Sequence, residues 1–388
     1  MSNNSIHFIW HIHQPFFIPE DELNWRISSS YIPLIDALSE RNIACSINIT
    51  GDTLRRIAAL SPPFINLLKD YLNKTTSIML GSAACHPSLP WLSRSSAKAQ
   101  VRFDREVKEL LGFPFCDVFW PTELAWSMRV GHLARVEGYR AVIIDSESRD
   151  ALNQIPMWKA SSSGLEPITH NYRQMGSYSK IITTIPIKGK EESICLWVRE
   201  HQLSDALIKL MIGEEESSKS HLDHFINEIS KCSLKAFDPQ SPLIVANDVE
   251  RFLPNSLSRF LDLLDGLCES NVCLCSYNDL DDSSKFIETE YVPASTMEGN
   301  DSMWTSTLDD RLCNIHLTQI TQEIESLFDV LYPIGSEQKI IRQKLIEVQD
   351  SSLYFWHYIT RVRAAFFAEI IHLENLVEKY REINASKD

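Results

Sequence analysis

The chain has 388 residues, of which 44% are hydrophobic and 23% charged, a composition that excludes extensive disorder and fibrous repeats and exceeds what one compact core usually holds. With 37 Lys plus Arg against 52 Asp plus Glu the formal charge is −15, so no nucleic acid partner is expected, because phosphate backbones need clustered cations. Nine cysteines without a Cys-x-x-Cys pair, no signal-peptide pattern in residues 1 to 20 and no run of about 18 apolar residues lead us to expect a soluble, cytoplasmic protein with reduced thiols and no membrane contact.

Along the chain, short apolar runs alternate with amphipathic stretches, the pattern of βα units around a mainly parallel sheet. Strands are expected near 5–11, 44–49, 77–81, 116–120, 140–145, 193–199, 242–247 and 271–276. Helices are expected near 28–41, 62–73, 94–111, 127–138, 203–212, 219–232 and 255–270. Lys180 to Ile187, followed by Lys188 and Gly189, reads as one arm of an antiparallel hairpin leading into the strand at 193. Beyond about residue 300 the periodicity is helical only, over 314–331, 336–349 and 352–382. The division expected is a barrel over 1–298 and an all-helical C-terminal domain over 299–388.

Polar residues follow five of these strands: His11, His13 and Gln14; His86; Glu123; Arg199, Glu200, His201 and Asp205; Asn247, Asp248 and Glu250. In a parallel barrel such strand ends meet at one mouth, where active sites of these folds lie. Glu123 and Asp248, delivered by different strands, make a carboxylate pair of the kind retaining glycoside hydrolysis needs. If the strand continues, Asp248 and Glu250 share a side. Each acid also has the plainer reading of a surface or helix-terminal charge. His11 and His13 read as hydrogen-bonded core residues or as metal ligands, and His86 as a loop residue. Cys273 and Cys275, two apart on a strand, are expected on one buried face. Trp10, Trp91, Trp120, Trp126 and Trp197 read as sugar platforms or as core.

Taken in order, His11-Ile12-His13-Gln14-Pro15, the segment Gly81 to Pro90 with its His86-Pro87, Trp120-Pro121-Thr122-Glu123, and Asn247-Asp248-Val249-Glu250 resemble the first four signature regions of glycoside hydrolase family 57. Arg199 to Asp205 resembles a further stretch of that family. The resemblance implies a distorted seven-stranded (β/α) barrel followed by a helical domain, acting with retention on α-1,4-glucans or malto-oligosaccharides as an α-amylase, 4-α-glucanotransferase or branching enzyme, without metal or other cofactor. By position, Glu123 matches the nucleophile and Asp248 the general acid/base. His13 and His86 match histidines of the donor-sugar subsite, and Trp120 matches an aromatic beside the nucleophile. His11, Arg199, His201, Asp205 and Glu250 complete the substrate-binding set we expect. Val249 stands where many members have Gly, and Glu200 where Asp is usual. Gln349 to His357 is similar to a fifth region except for Tyr358 in place of Gly, and the chain looks short for a branching enzyme. Two other classes remain open: a metal-dependent deacetylase or mannosidase using His11 or His13, His86 and Asp248 as ligands, and a non-catalytic glucan-binding protein.

Overall fold

The computed structural model describes residues 5–146, 158–161, 164–167, 180–212, 218–235, 242–252, 254–270, 272–282, 286–289, 292, 294, 296–297, 308–355 and 360–385. Ser5–Ile12 (β1) is buried at every position after Ser5, as expected of a strand covered on both faces of a parallel sheet. It is followed by Ser46–Ile49 (β2), Ile78–Met79 (β3), Val118–Phe119 (β4) and Ala141–Asp145 (β5). Trp158–Ser161 (β6) and Gly164–Pro167 (β7) form a separate antiparallel pair. Lys180–Ile187 (β8), Lys190–Arg199 (β9), Leu243–Asp248 (β10), Cys273–Leu274 (β11) and Ile287–Thr289 (β12) complete the strands.

Parallel pairing runs β3–β2–β1–β10–β9–β5–β4, and a parallel bridge from Gly81 to Phe119 joins β3 to β4. These seven strands curl into a distorted barrel. Two junctions are thin: β9 and β10 share one paired register position, Arg199 with Ile244, and β3 meets β4 only through Gly81. Gly81 has no substitute there, since an added Cβ would lie 2.2 Å from the Tyr139 ring. The eighth expected strand is peripheral: β11 pairs only with the base of β1, at Ser5 and Ile6. Its Cys273 is exposed while Cys275 is buried, so the shared buried face expected for these cysteines does not form, because the strand ends at Leu274 between them. The expected hairpin is present as β8 and β9. Its two-residue turn, Lys188 and Gly189, has positive φ at both positions (48° and 78°), which matches the right-handed twist of the strands it joins.

Helices fill the crossovers: Glu20–Arg26 (α1), Ile32–Glu40 (α2), Gly51–Leu60 (α3), Pro62–Thr75 (α4), Arg94–Leu110 (α5), Met128–Val136 (α6), His201–Ile212 (α7), Ser218–Lys235 (α8), Pro254–Glu269 (α9) and Tyr277–Asp282 (α10). Serine caps start two of them, Ser93 accepting from Ser96 N at 3.0 Å and Ser127 from Val130 N at 3.2 Å. The sequence reading missed α1 and α3 and merged the π-helical turn Ile27–Tyr31 into α2. Leu308–Leu327 (α11), Ser336–Val348 (α12), Ser352–Phe355 (α13) and Thr360–Ala385 (α14) form the helical C-terminal region. Its core, built on residues such as Leu317, Ile324, Leu345 and Phe366, also takes in Ala99 and Ala125 and is flanked by Phe16 and Phe17, so the helices pack onto the barrel beside its mouth. The boundary expected at 298/299, and residues 356–359 of the helix expected over 352–382, lie outside the described residues. Among the described residues no helix is long and apolar enough to cross a membrane.

Strand alternation sorts the side chains. On β1, Ile6, Phe8, Trp10 and Ile12 join the core shared with the helices, and Ile9 joins a second core with Leu80, Val118, Ile143, Trp197 and Ile244. Those second-core residues line the inside of the curl, and the positions two further along their strands therefore face inward at its C-terminal rim.

Candidate active site

Those rim positions are His11 on β1, Asp145 on β5, Arg199 on β9 and, in phase with Ile244 and Ala246, Asp248 at the end of β10. Sheet register groups them in two sets: His11 pairs with Asn48 on one side and Asp248 on the other, and Asp145 pairs with Arg199, whose partner on β10 is Ile244. An apolar lower barrel thus carries a polar upper floor.

Three histidines stand on that floor. The His13 and His86 rings stack at 4.4 Å and 15°, His86 and His11 lie 5.3 Å apart, and His11 stacks on Trp120 at 5.4 Å and 14°. His11 Nδ1 pairs with Asn48 Oδ1 at 2.7 Å. Burial lowers the His11 pKa to about 4 despite the opposing charge of Asp248, so this ring is neutral at ordinary pH. Burial, and then the neighbouring His13 and His11, likewise push His86 well below the usual histidine range. His13 Nδ1 meets Thr50 Oγ1 at 3.0 Å, and its Nε2 lies 3.3 Å from Asp350 Oδ2 and 3.4 Å from Ser352 Oγ. His86 is a buried part of the floor, 3.4 Å through Nδ1 from Glu123 Oε1. Its carbonyl accepts from Ser351 N (2.8 Å) and Ser351 Oγ (2.5 Å).

Glu123 sits in the short turn Thr122–Leu124 after β4, with φ 52° and ψ 24°; Leu124 is also left-handed, at φ 51°. Two consecutive non-glycine residues in that region store backbone strain of order 1–3 kcal/mol each. Pro121 fixes the entry to this turn and Met297 N closes it by donating to the Glu123 carbonyl at 3.0 Å. The strained turn holds the carboxyl against His86.

Asp248 ends β10, and the chain then turns into the 3-10 segment Val249–Arg251, so Glu250 is not carried on the Asp248 side by strand alternation as the sequence reading had it. Instead Glu250 Oε1 accepts from Tyr31 OH (2.8 Å), Gln14 Nε2 (2.9 Å) and His13 N (3.3 Å). Burial first, and then the Asp248 charge, raise its pKa to about 7. On the far side of the mouth, fully buried Asp145 is gripped by Arg199 Nη1 and lies 3.2 Å from His201 Nδ1, while His201 Nε2 lies 3.3 Å from Asp205 Oδ2. The Asp145 hydrogen bond raises the His201 pKa. Glu200 is buried beside them and its N donates to the Ile244 carbonyl at 2.8 Å.

All ten sequence-derived candidates lie at the C-terminal rim; Asp205, four residues after His201 on α7, reaches it through His201. The partners missed include Tyr31, Asn48, Thr50, Asp145, Asp350, Ser351 and Ser352. Of the expected tryptophans, only Trp120 touches the histidine group; Trp10, Trp126 and Trp197 are core, and Trp91 is 47% exposed. Of the expected fifth region, residues 349–355 are described and 350–352 dock on His13 and His86, while Trp356, His357 and Tyr358 lie outside the described residues. Among the described residues no three His, Cys, Asp or Glu side chains converge to hold a metal ion. His11 Nε2, Asn48 Nδ2, Trp120 Nε1 and Asp350 Oδ2 are buried with no hydrogen-bond partner among the described residues, so the floor retains unmet hydrogen-bonding capacity.

A curled parallel barrel with acids, imidazoles and an indole on one rim and a helical wall beside it is the build of a carbohydrate-active α/β enzyme. The chain belongs to glycosyl hydrolase family 57, whose model matches residues 7–269. The fold is similar to that of the 4-alpha-glucanotransferase of Thermococcus litoralis, with TM-score 0.70, 13% identity and coverage of 98% of this chain but only 60% of that one. It is also similar to the branching enzyme of Thermococcus kodakaraensis (0.70, 14%, 96% and 89%) and to an alpha-amylase of Thermotoga maritima (0.73, 11%, 97% and 93%). The chain spans 89% of that branching enzyme, so the expected shortness does not set it apart. Comparison of the sequence with curated proteins gives no match.

Proposed function

We propose that the protein is a retaining enzyme of α-1,4-glucans, an α-amylase or 4-α-glucanotransferase, with residues 1–298 as the catalytic unit and 299–388 as the wall of its cleft. One observation carries the reading: Glu123, in a strained turn 3.4 Å from His86, and Asp248, register partner of His11, flank one stack of imidazoles in which buried His11 Nε2 has no hydrogen-bond partner among the described residues. Glu123 attacks the anomeric carbon while Asp248, as general acid, gives a proton to the leaving oxygen, forming a glycosyl-enzyme intermediate. Asp248 then takes the proton of water, or of a sugar hydroxyl when the glycosyl group is transferred. His11 Nε2, unpaired and neutral, accepts from a sugar hydroxyl, and Trp120 offers a stacking face and an indole donor. Glu250 acts at one remove, holding the His13 backbone and Gln14, and Asp145 positions Arg199 and His201.

Incubation of wild type and Glu123→Gln with maltoheptaose, with products resolved by chromatography, tests this. Wild type should convert the sugar and Glu123→Gln should lose at least about 10³-fold, since no other group replaces an enzymic nucleophile. Shorter products alone mean hydrolysis, and shorter plus longer products mean transfer. An active Glu123→Gln protein overturns the assignment.

A further inference from the structure

Beyond His86 the chain runs through Pro87 and Ser88 into the 3-10 turn Leu89–Trp91, and between this turn and α11 opens a cleft of about 200 Å³. The polar part of its wall is almost uncharged: Ser88, Asn314, Thr318, Thr321 and Gln322. Its one charged lining residue, Arg129, already donates to the Leu92 carbonyl. Trp91 lines the same cleft and leaves about half of its surface exposed, at 47%.

A second observation is independent of composition. Ser88 and Thr321 are 1% and 3% exposed, yet Ser88 Oγ and Thr321 Oγ1 have no hydrogen-bond partner among the described residues. Buried hydroxyls left unpaired cost free energy that a ligand with both donors and acceptors recovers. An indole face beside neutral hydroxyls and amides suits a polyhydroxyl ligand with apolar ring faces, and the single engaged cation offers little to an anion.

We infer that this cleft is a distal sugar subsite that holds outer units of a glucan chain, with Trp91 as stacking platform and Ser88 and Thr321 as hydrogen-bond partners. The inference rests on the α-glucan reading and extends it to substrate length. Ser88 lies two residues from His86, at most about 7 Å along the backbone, so one end of the cleft wall lies close to His86. Because α11 supplies the opposite wall, the helical region takes part in binding and not only in packing.

The test compares kcat/KM on maltotriose with that on amylose for wild type, Trp91→Ala, Trp91→Phe and Thr321→Val, with circular dichroism confirming the fold of each. In Trp91→Ala the ratio of long-chain to short-chain kcat/KM should fall about five- to tenfold through the long-chain KM, the scale of one lost aromatic contact. Trp91→Phe should recover most of it, and Thr321→Val should lower the ratio in the same direction. A ratio unchanged in folded Trp91→Ala and Thr321→Val, with wild type turning over both sugars, overturns the subsite and leaves the α-glucan reading standing. A wild type inert on both sugars removes that reading and the subsite with it.

Discussion

Glu250→Gln gives the sharpest test of how the rim is held. The substitution keeps a carbonyl oxygen where Tyr31, Gln14 and the His13 backbone converge, but removes the titratable group. In the native protein this carboxyl holds its proton up to about pH 7, against 4.5 for an ordinary glutamate, because burial and Asp248 disfavour its charge. Between those values the native state binds more protons than the unfolded chain, so the group's contribution to stability declines as pH rises. From pH 5 to pH 7.5 the decline is on the order of 2 kcal/mol. His7 and His11 run the other way. Burial lowers each to about 4 from 6.5, so their contribution is lost as pH falls through that interval. The wild-type profile sums these opposing slopes, and the difference between variant and wild type isolates Glu250. Urea unfolding at pH 5 and 7.5 should show Glu250→Gln gaining on wild type by about 2 kcal/mol at the higher pH. Parallel stabilities at the two values would show that Glu250 is not held protonated by its surroundings, and the burial argument would fall.

Two further perturbations probe the supports of the rim. Asp104 is fully buried, accepts from Ser82 N (2.9 Å) and pairs with buried Lys108 (2.8 Å), which also donates to the Leu80 carbonyl (2.8 Å). Asp104→Ala strands the ammonium and should cost about 3–5 kcal/mol in chemical unfolding, whereas Asp104→Leu with Lys108→Met should cost much less; equal losses would show that the charge is not the issue. For Asp145→Asn, the His201 ring should titrate at a lower pH by NMR, because the Asp145 hydrogen bond is the main cause of its raised pKa. A protonated imidazole stabilises the fold below the ordinary value of 6.5 and its contribution is lost as pH rises through the raised value, so the variant should be weakened chiefly in acid. An unmoved titration would remove Asp145 as the cause.

The barrel was legible because its strands are short, doubly buried and followed by polar residues. β1, β5 and β10 lie within a residue or two of their sequence-based ranges, and the carboxylates Glu123 and Asp248 fall at strand ends as the apolar runs predict. Helix α1 has a helix-start signal in its acidic first turn, Glu20 to Glu22, but its seven residues bury only Leu23, too few for a readable apolar periodicity. The π-turn that follows brings Tyr31 to Glu250, a contact with no local sequence signature. Asp145 ends the strand expected at 140–145, and only register with Arg199 reveals its place. Asp350 and Ser352 lie in the segment that is similar to a fifth family region, but nothing local ties them to His13, which for Ser352 is 339 positions away. That Asp248 and Glu250 share a side is expected only while the strand continues, and β10 stops at Asp248.

The clasp of Ser351 on His86 joins residues 265 positions apart, and that separation sets an order of events. During synthesis the barrel strands through β10 leave the ribosome well before α12 and α13, so the imidazole stack is first assembled with one side open. Closing so long a loop is entropically costly and is repaid only when the last helices bury their apolar faces. The site is therefore among the last parts of the molecule to become complete, and a newly made chain acquires its cleft only after its C-terminal helices have docked.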